Sequence, residues 1–156
     1  PNTCASAIKA VKDLKFNYIT IHISSGLNAL RAAKKVSGKT KLIGVTILTS
    51  LDNKSLKEIG FNKDVKKAVF HQAKLATRAK LDAIVCSPHE IKIVKKVFKK
   101  EIITPGIRLL GDTKGDQKRI MTPKQAFQNG ATALVMCRSL TSNIKKNIQR
   151  LIKELN

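Results

Sequence analysis

Five short, β-branched apolar runs punctuate this chain, and a segment of helical period separates each from the next. The runs cover residues 19–23, 42–48, 83–86, 102–104 and 133–137. They are nearly continuous in apolar character, as strands covered on both faces should be. Helical patterns lie roughly over residues 3–11, 27–36, 63–80, 89–98 and 123–129, and a last one closes the chain over 143–155. Repeated β-α units of this spacing imply a parallel sheet with right-handed crossovers.

A doubly wound sheet and a (β/α)8 barrel both satisfy that pattern. No G-x-G-x-x-G turn follows the first strand, which weakens a dinucleotide-binding fold. In barrels, phosphate is commonly held by the loops after the last two strands. Here those loops are "TPGIRLLGDTKGDQKRIMTP" (104–123) and "CRSLTSN" (137–143). Five strands do not close an eight-stranded barrel. The expectation is therefore an α/β fold: a partial TIM-type (β/α)8 barrel comprising the last five β-α units, with residues 1–156 as a single domain.

Helix starts are well signalled. "SPHE" offers Ser87 as N-cap, Pro88 at the first helical position and Glu90 to close a capping box. "TPKQ" repeats the device with Thr122, Pro123 and Gln125. The last helix sets Ile144, Ile148, Leu151, Ile152 and Leu155 on one face, which is expected to pack on the sheet.

At 156 residues the chain can bury roughly 70% of its unfolded surface. An apolar fraction of 42% argues against disorder. The longest apolar runs are too short to span a bilayer, and no signal segment opens the chain, although Pro1 suggests a start further upstream. Three cysteines without CxxC spacing read as reduced cytosolic thiols rather than a metal site. A net charge of +21 raises the possibility of nucleic-acid binding. Its lysines, however, are spread over nearly every helical segment, and with 4% aromatic residues and no tryptophan a base-stacking platform is not expected. The charge would still steer anionic ligands.

A phosphate monoester is gripped by guanidinium forks, side-chain amides and backbone N–H groups at a helix start. Arg108, Gln117 and Arg138 offer the first two, and the segment 139–143 the third. A polar loop with a surface arginine is the plainer alternative. "VTILTS" ends a strand with hydroxyls: Thr49 and Ser50 either meet a ring edge or cap the segment beginning at Asp52 and Asn53. His71 and His89 fall in helical segments, where structural roles are expected. His22 ends a strand at the functional face. Asp52, Asp112 and Asp116 are the carboxylates on that face, and none has a lysine partner at a strand terminus.

In combination, "VTILTS", "LDAIVCSPHE", "TPGIR", "GDQKRIMTP" and "ALVMCRSLT" resemble, in order and separation, the bacterial orotidine 5'-phosphate decarboxylase family. With "PNT" and "ITIHISSG" the resemblance covers essentially the whole chain. It implies a (β/α)8 barrel that decarboxylates orotidine 5'-phosphate to UMP in the cytoplasm, in pyrimidine biosynthesis, without metal or organic cofactor. It further implies that Arg108, Gln117 and Arg138 grip the phosphate and that Thr49 or Ser50 meets the pyrimidine edge. Thr3 would reach the partner subunit's site across a homodimer, and the loop 104–123 would close over the substrate.

Departures from the family pattern bear on chemistry. The family's Asp-x-Lys-x-x-Asp motif, which crowds the substrate carboxylate and protonates the ring carbon, stands just ahead of "PNT"; the present sequence opens at that tripeptide, so no catalytic residue is assigned within it. "DLK" (13–15) imitates the motif but precedes a strand, at the wrong end of a barrel, and Tyr18 stands where the second Asp belongs. Cys137 and Ser25 occupy positions where the family tends to have glycine. The resulting expectation is a chain inactive alone that retains the phosphate-binding half. A non-catalytic nucleotide-binding remnant or a basic nucleic-acid binder are the alternatives. Open edges at the first and last strands predict self-association, or a separate N-terminal chain completing the barrel.

Overall fold

The computed structural model describes residues 1–113, 115 and 119–156. One sheet holds five strands in chain order: β1 (Tyr18–His22), β2 (Lys41–Val45), β3 (Ala83–Val85), β4 (Glu101–Thr104) and β5 (Ala133–Leu134). Every pairing is parallel, with Tyr18 opposite Lys41, Ile43 opposite Ala83, Ala83 opposite Glu101 and Ile103 opposite Ala133. A doubly wound sheet reverses its strand order at a switch point. This sheet never reverses. It is an arc of a (β/α)8 barrel, five consecutive units long.

The helices are α1 (Asn2–Ala10), α2 (Leu27–Val36), α3 (Asn53–Glu58), α4 (Val65–Arg78), α5 (Ile91–Val94), α6 (Pro123–Asn129), α7 (Arg138–Thr141) and α8 (Ile144–Leu155). Leu30 and Ala33 of α2 and Val69, Ala73 and Ala76 of α4 are fully buried with Ile23, Leu42, Ile84 and Ile102. Small side chains on α4 let that helix lie close to the sheet. Gly44 in β2 serves the same end, since a methyl there would stand 2.7 Å from Leu81 Cδ1 and 2.8 Å from Ile23 Cδ1. Burial falls off toward the sheet's margins. β2 buries three consecutive residues, whereas β1 alternates exposed and half-buried positions and both β5 residues stay out of the core.

Three strands, β2, β3 and β5, are shorter than their apolar runs suggest. β2 ends at Val45 because Thr46 turns its hydroxyl onto the Val85 carbonyl, at 2.7 Å. β5 has two residues where five were expected, since its ladder is supported from β4 alone among the described residues.

Of the two expected capping boxes, that at Thr122 forms, with reciprocal bonds to Gln125. The one at Ser87 does not. The Ser87 hydroxyl accepts from the His89 N–H at 3.3 Å, α5 begins only at Ile91, and the Glu90 side chain is drawn elsewhere. The expected packing of the last helix is also corrected. Ile144 and Ile152 of α8 are 57% and 54% exposed, Ile148 and Leu155 are exposed with them, and Asn147 is the buried residue. The cause is polar. Arg150 donates to the Leu110 carbonyl (2.9 Å) and to Asp112 (2.9 Å), and Glu154 accepts from the Leu110 N–H at 3.1 Å. These bonds turn the polar face of α8 inward, and the helix packs on α6 and α7 instead of the sheet.

At the amino ends of the strands, Asp82 accepts from Lys34 at 2.5 Å and from the Leu42 N–H at 2.8 Å, with Lys100 at 3.9 Å. Partial burial opposes its ionisation, but the Lys34 and Leu42 hydrogen bonds prevail and hold its pKa below the ordinary carboxylate range. A depressed carboxylate pKa stabilises the fold above its unfolded value, near 4, and that stability is lost as pH falls through the folded value. Asp82→Asn should cost about 1–2 kcal/mol in urea unfolding at pH 7. The difference from the parent chain should shrink as pH falls through the depressed folded pKa, because the Asp82 carboxyl then becomes uncharged like the amide.

Candidate functional site

In a parallel sheet all carboxyl ends emerge together, so the segments after β2, β4 and β5 meet at one mouth. The arm after β4 begins Pro105-Gly106-Ile107-Arg108. Gly106 has φ +76, and a Cβ there would lie 2.7 Å from the Arg119 carbonyl oxygen and 3.6 Å from Thr49 Cγ2. Glycine is thus required twice, for its left-handed backbone and for the close passage of the returning chain. That return is fixed by the Met121 N–H to the Gly106 carbonyl (3.2 Å) and the Arg108 N–H to the Met121 carbonyl (3.1 Å). His89 adds a ring-nitrogen contact of 3.0 Å to the Ile120 carbonyl, the structural role expected of it.

Two hollows result. The first, of about 440 Å³, is lined by Arg108, Arg138, Asp112, Ser139 and Ser142, with Gly111 and Gly115 among its backbone walls. Arg108 is 8% exposed, its Nη1 donating to the Ile107 carbonyl (2.9 Å) and its Nε to Thr113 (3.3 Å). Arg138 starts α7 and passes so close to Gly115 that a Cβ there would stand 3.2 Å from its Nη1. Two arginines thirty positions apart in sequence therefore share one cleft. Gln117, the third expected member, lies outside the described residues. The second hollow, about 210 Å³, is lined by Thr49, Ser50, Ile47, Val85, Cys86 and Pro105. Asp52, not Thr49 or Ser50, caps the following helix, its carboxylate accepting from the Ser55 N–H at 2.9 Å. Burial, with the Glu90 carboxylate nearby, pushes the Cys86 thiol far above its usual range, which leaves it an inert wall.

Asp112 was not foreseen as a wall of the arginine cleft. Burial works against its charge, but the neighbouring Ser139 hydroxyl and the hydrogen bond from Arg150 outweigh it and lower its pKa. The expected backbone donors of 139–143 are largely consumed. The N–H groups of Leu140 and Thr141 go to the Cys137 carbonyl and that of Ser142 to Arg138, while Asn143 caps α8. Cys137 has φ −82, so no left-handed backbone demands glycine there, although its ψ of −91 falls outside the usual helical and extended regions. Thr3 is exposed in the first turn of α1 and lines neither hollow. His22 is exposed at the end of β1, where it pairs with Val45 and its carbonyl accepts from the Ser25 hydroxyl at 2.7 Å. Asp13 and Lys15 flank a turn ahead of β1, at the opposite end of the sheet. Among the described residues no three His, Cys, Asp or Glu side chains cluster as metal ligands would, and no helix is long and apolar enough to cross a membrane.

Fold and mouth together define a (β/α)8-barrel chain with its polar groups gathered at the carboxyl ends of the strands. Residues 1–147 match the family described as orotidine 5'-phosphate decarboxylase / HUMPS, and the chain belongs to it. It is 43% identical over 150 residues to the orotidine 5'-phosphate decarboxylase of Actinobacillus pleuropneumoniae serotype 5b (strain L20), covering 90% of this chain and 64% of that protein. The Coxiella burnetii (strain RSA 331 / Henzerling II) relative is 44% identical over 152 residues, with 92% and 64% covered. The chain thus spans about 64% of the length of these relatives. The crystal structure of the Lactobacillus acidophilus orotidine 5'-phosphate decarboxylase superposes with a TM-score of 0.81 at 28% identity, over 100% of this chain and 70% of that one.

The double demand on Gly106 yields a direct test. Gly106→Ala should lower stability by about 2–4 kcal/mol, combining left-handed strain with displacement of the Arg119 carbonyl. Urea unfolding should register this as a lower midpoint with an unchanged slope.

Proposed function

We propose that these 156 residues form the nucleotide-gripping half of an orotidine 5'-phosphate decarboxylase barrel, with the phosphate in the Arg108–Arg138 cleft and the pyrimidine edge against Thr49 or Ser50. The observation that carries this reading is the convergence of two guanidinium groups on one cleft beside a hydroxyl-lined hollow at the same mouth. Paired guanidiniums suit a phosphate dianion through bidentate, charge-assisted bonds. Gln117, placed by the family resemblance in the same role, would add a neutral amide donor. A net charge of +21 favours capture of an anion at a distance. Binding energy gathered at the phosphate would then hold the ring for chemistry, as remote contacts do in enzymes generally.

The acid–base groups of that chemistry lie outside these residues. No Asp-x-Lys-x-x-Asp occurs in the 156 positions, and Asp13 and Lys15 stand at the far end of the sheet. The chain by itself should therefore bind UMP but not turn over orotidine 5'-phosphate. Arg138→Ala should weaken UMP binding about tenfold or more in calorimetric titration, in keeping with the loss of a charged hydrogen-bonding partner. Family-like turnover by the isolated chain, or an unchanged UMP affinity in the variant, would refute the assignment.

The partner that fits best is a barrel-completing segment of β-α units, carried by the same polypeptide or by another. Exposed Ile144, Ile148 and Ile152 on α8 and exposed Leu14, Phe16 and Tyr18 near β1 leave apolar surface at both margins of an open sheet. Residues 1–156 act in this reading as one folding unit whose margins await cover. Purified alone, the chain should associate with itself, and an Ile148→Lys/Ile152→Lys variant should shift light scattering toward monomer. A parent chain that is monomeric at all accessible concentrations would count against exposed margins as the driving force.

A further inference from the structure

Glu90 is 2% exposed, a depth that carboxylates rarely occupy without a partner. Its partner is Arg119, whose Nη1 lies 2.7 Å from Glu90 Oε2, an ionic contact whose angles fall outside hydrogen-bond geometry. The Nη2 of the same guanidinium donates to the carbonyls of Leu48 (2.8 Å) and Ile47 (3.3 Å). One side chain from the loop after β4 thus ties the end of β2 to the turn before α5. Arg119 lines neither the arginine cleft nor the Thr49 hollow; with Glu90, His89 and Asp52 it faces a separate hollow of about 780 Å³, where the Glu90 carboxylate already meets its charge.

We propose that Arg119 is a positioning residue, not an anion ligand. Held by Glu90, it fixes the Thr49–Ser50 segment at one distance from Arg108. This rests on the nucleotide-binding reading above and names the residue that keeps its two subsites in register. The route is short. Arg119 grips the carbonyls of Ile47 and Leu48, just ahead of Thr49, while its own carbonyl closes on Gly106, which also packs on Thr49. Gly106 and Arg108 are bonded in turn to Met121, two positions beyond Arg119. A displacement of the guanidinium must move both subsites relative to each other. Only a planar fork reaches a carboxylate and two carbonyls at once; a lysine ammonium keeps the charge but cannot span them.

The test uses Arg119→Lys, with Glu90→Gln as a size-conserving second variant. In ligand-free chain, amide hydrogen exchange at Arg108 and Met121 should quicken about tenfold in Arg119→Lys and less in Glu90→Gln, with Ile84 and Ile102 unchanged. UMP affinity should fall about tenfold, while affinity for inorganic phosphate, which needs only the arginine cleft, should stay within twofold. Unchanged local exchange in Arg119→Lys overturns the proposal, as does exchange raised equally at Ile84, and so does a phosphate affinity that falls as far as that for UMP. Should neither ligand bind the parent chain, the nucleotide reading fails, and the exchange comparison still decides whether Arg119 sets the geometry. If Arg119→Lys does not fold, the same exchange and affinity criteria apply to Glu90→Gln.

Discussion

A parallel ladder imposes one constraint from which the rest of this molecule follows. Each strand must be returned to the starting end before the next can pair, so every carboxyl end emerges on the same side. Because the strand order never reverses, the segments after β2, β4 and β5 arrive side by side around a common mouth. Arg108 and Arg138 become neighbours through that topology, not through sequence proximity. The central strands tolerate it because both their faces are covered, and Gly44 removes the Cβ that would hold Leu81 and Ile23 apart.

Charge is handled by placing scarce carboxylates at junctions. Ten acidic residues face thirty-one basic ones, so most cations can only be solvated. Asp82 joins α2 to β2, and Glu101 pairs with Lys41 and accepts from Tyr18 at the same end of the sheet. At the mouth, Glu90 takes Arg119 and Asp112 takes Arg150. Guanidinium groups with scaffold duties are thereby distinguished from those lining the cleft. Pairing Asp112 with Arg150 in this way also limits the negative charge it adds to the wall of the arginine cleft.

Much of this was legible in the sequence. Apolar runs located all five strands, and "TPKQ" marked the start of α6 because its capping is local, needing only Thr122 and Gln125. The arginine cleft was legible because the loops after the last strands of a barrel must converge. What escaped was non-local. "SPHE" has every local feature of a capping box, yet Glu90 finds Arg119 nearly thirty positions away, an opposite charge of the kind a carboxylate buried at that depth requires. The stripe on α8 read as core-facing because periodicity reports amphipathicity, not which face wins. Leu110 and Asp112 offered the polar face a carbonyl, an N–H and a carboxylate, and nothing in the helix's own sequence could announce them.

That orientation of α8 links the cleft to the open margin of the sheet. Arg150 and Glu154 reach inward to the same loop whose first arginine lines the cleft, so the helix holds the loop with its polar face while its isoleucines look outward. A helix anchored in this way need not rotate when apolar cover arrives, since the face to be covered is already presented. The cleft can consequently exist before the barrel closes. Closure would then add burial to α8 without rebuilding the arginine pair. The arginine cleft rests on the loop's own bonds and on its anchorage to α8, while the helix's isoleucines stay on the exposed face.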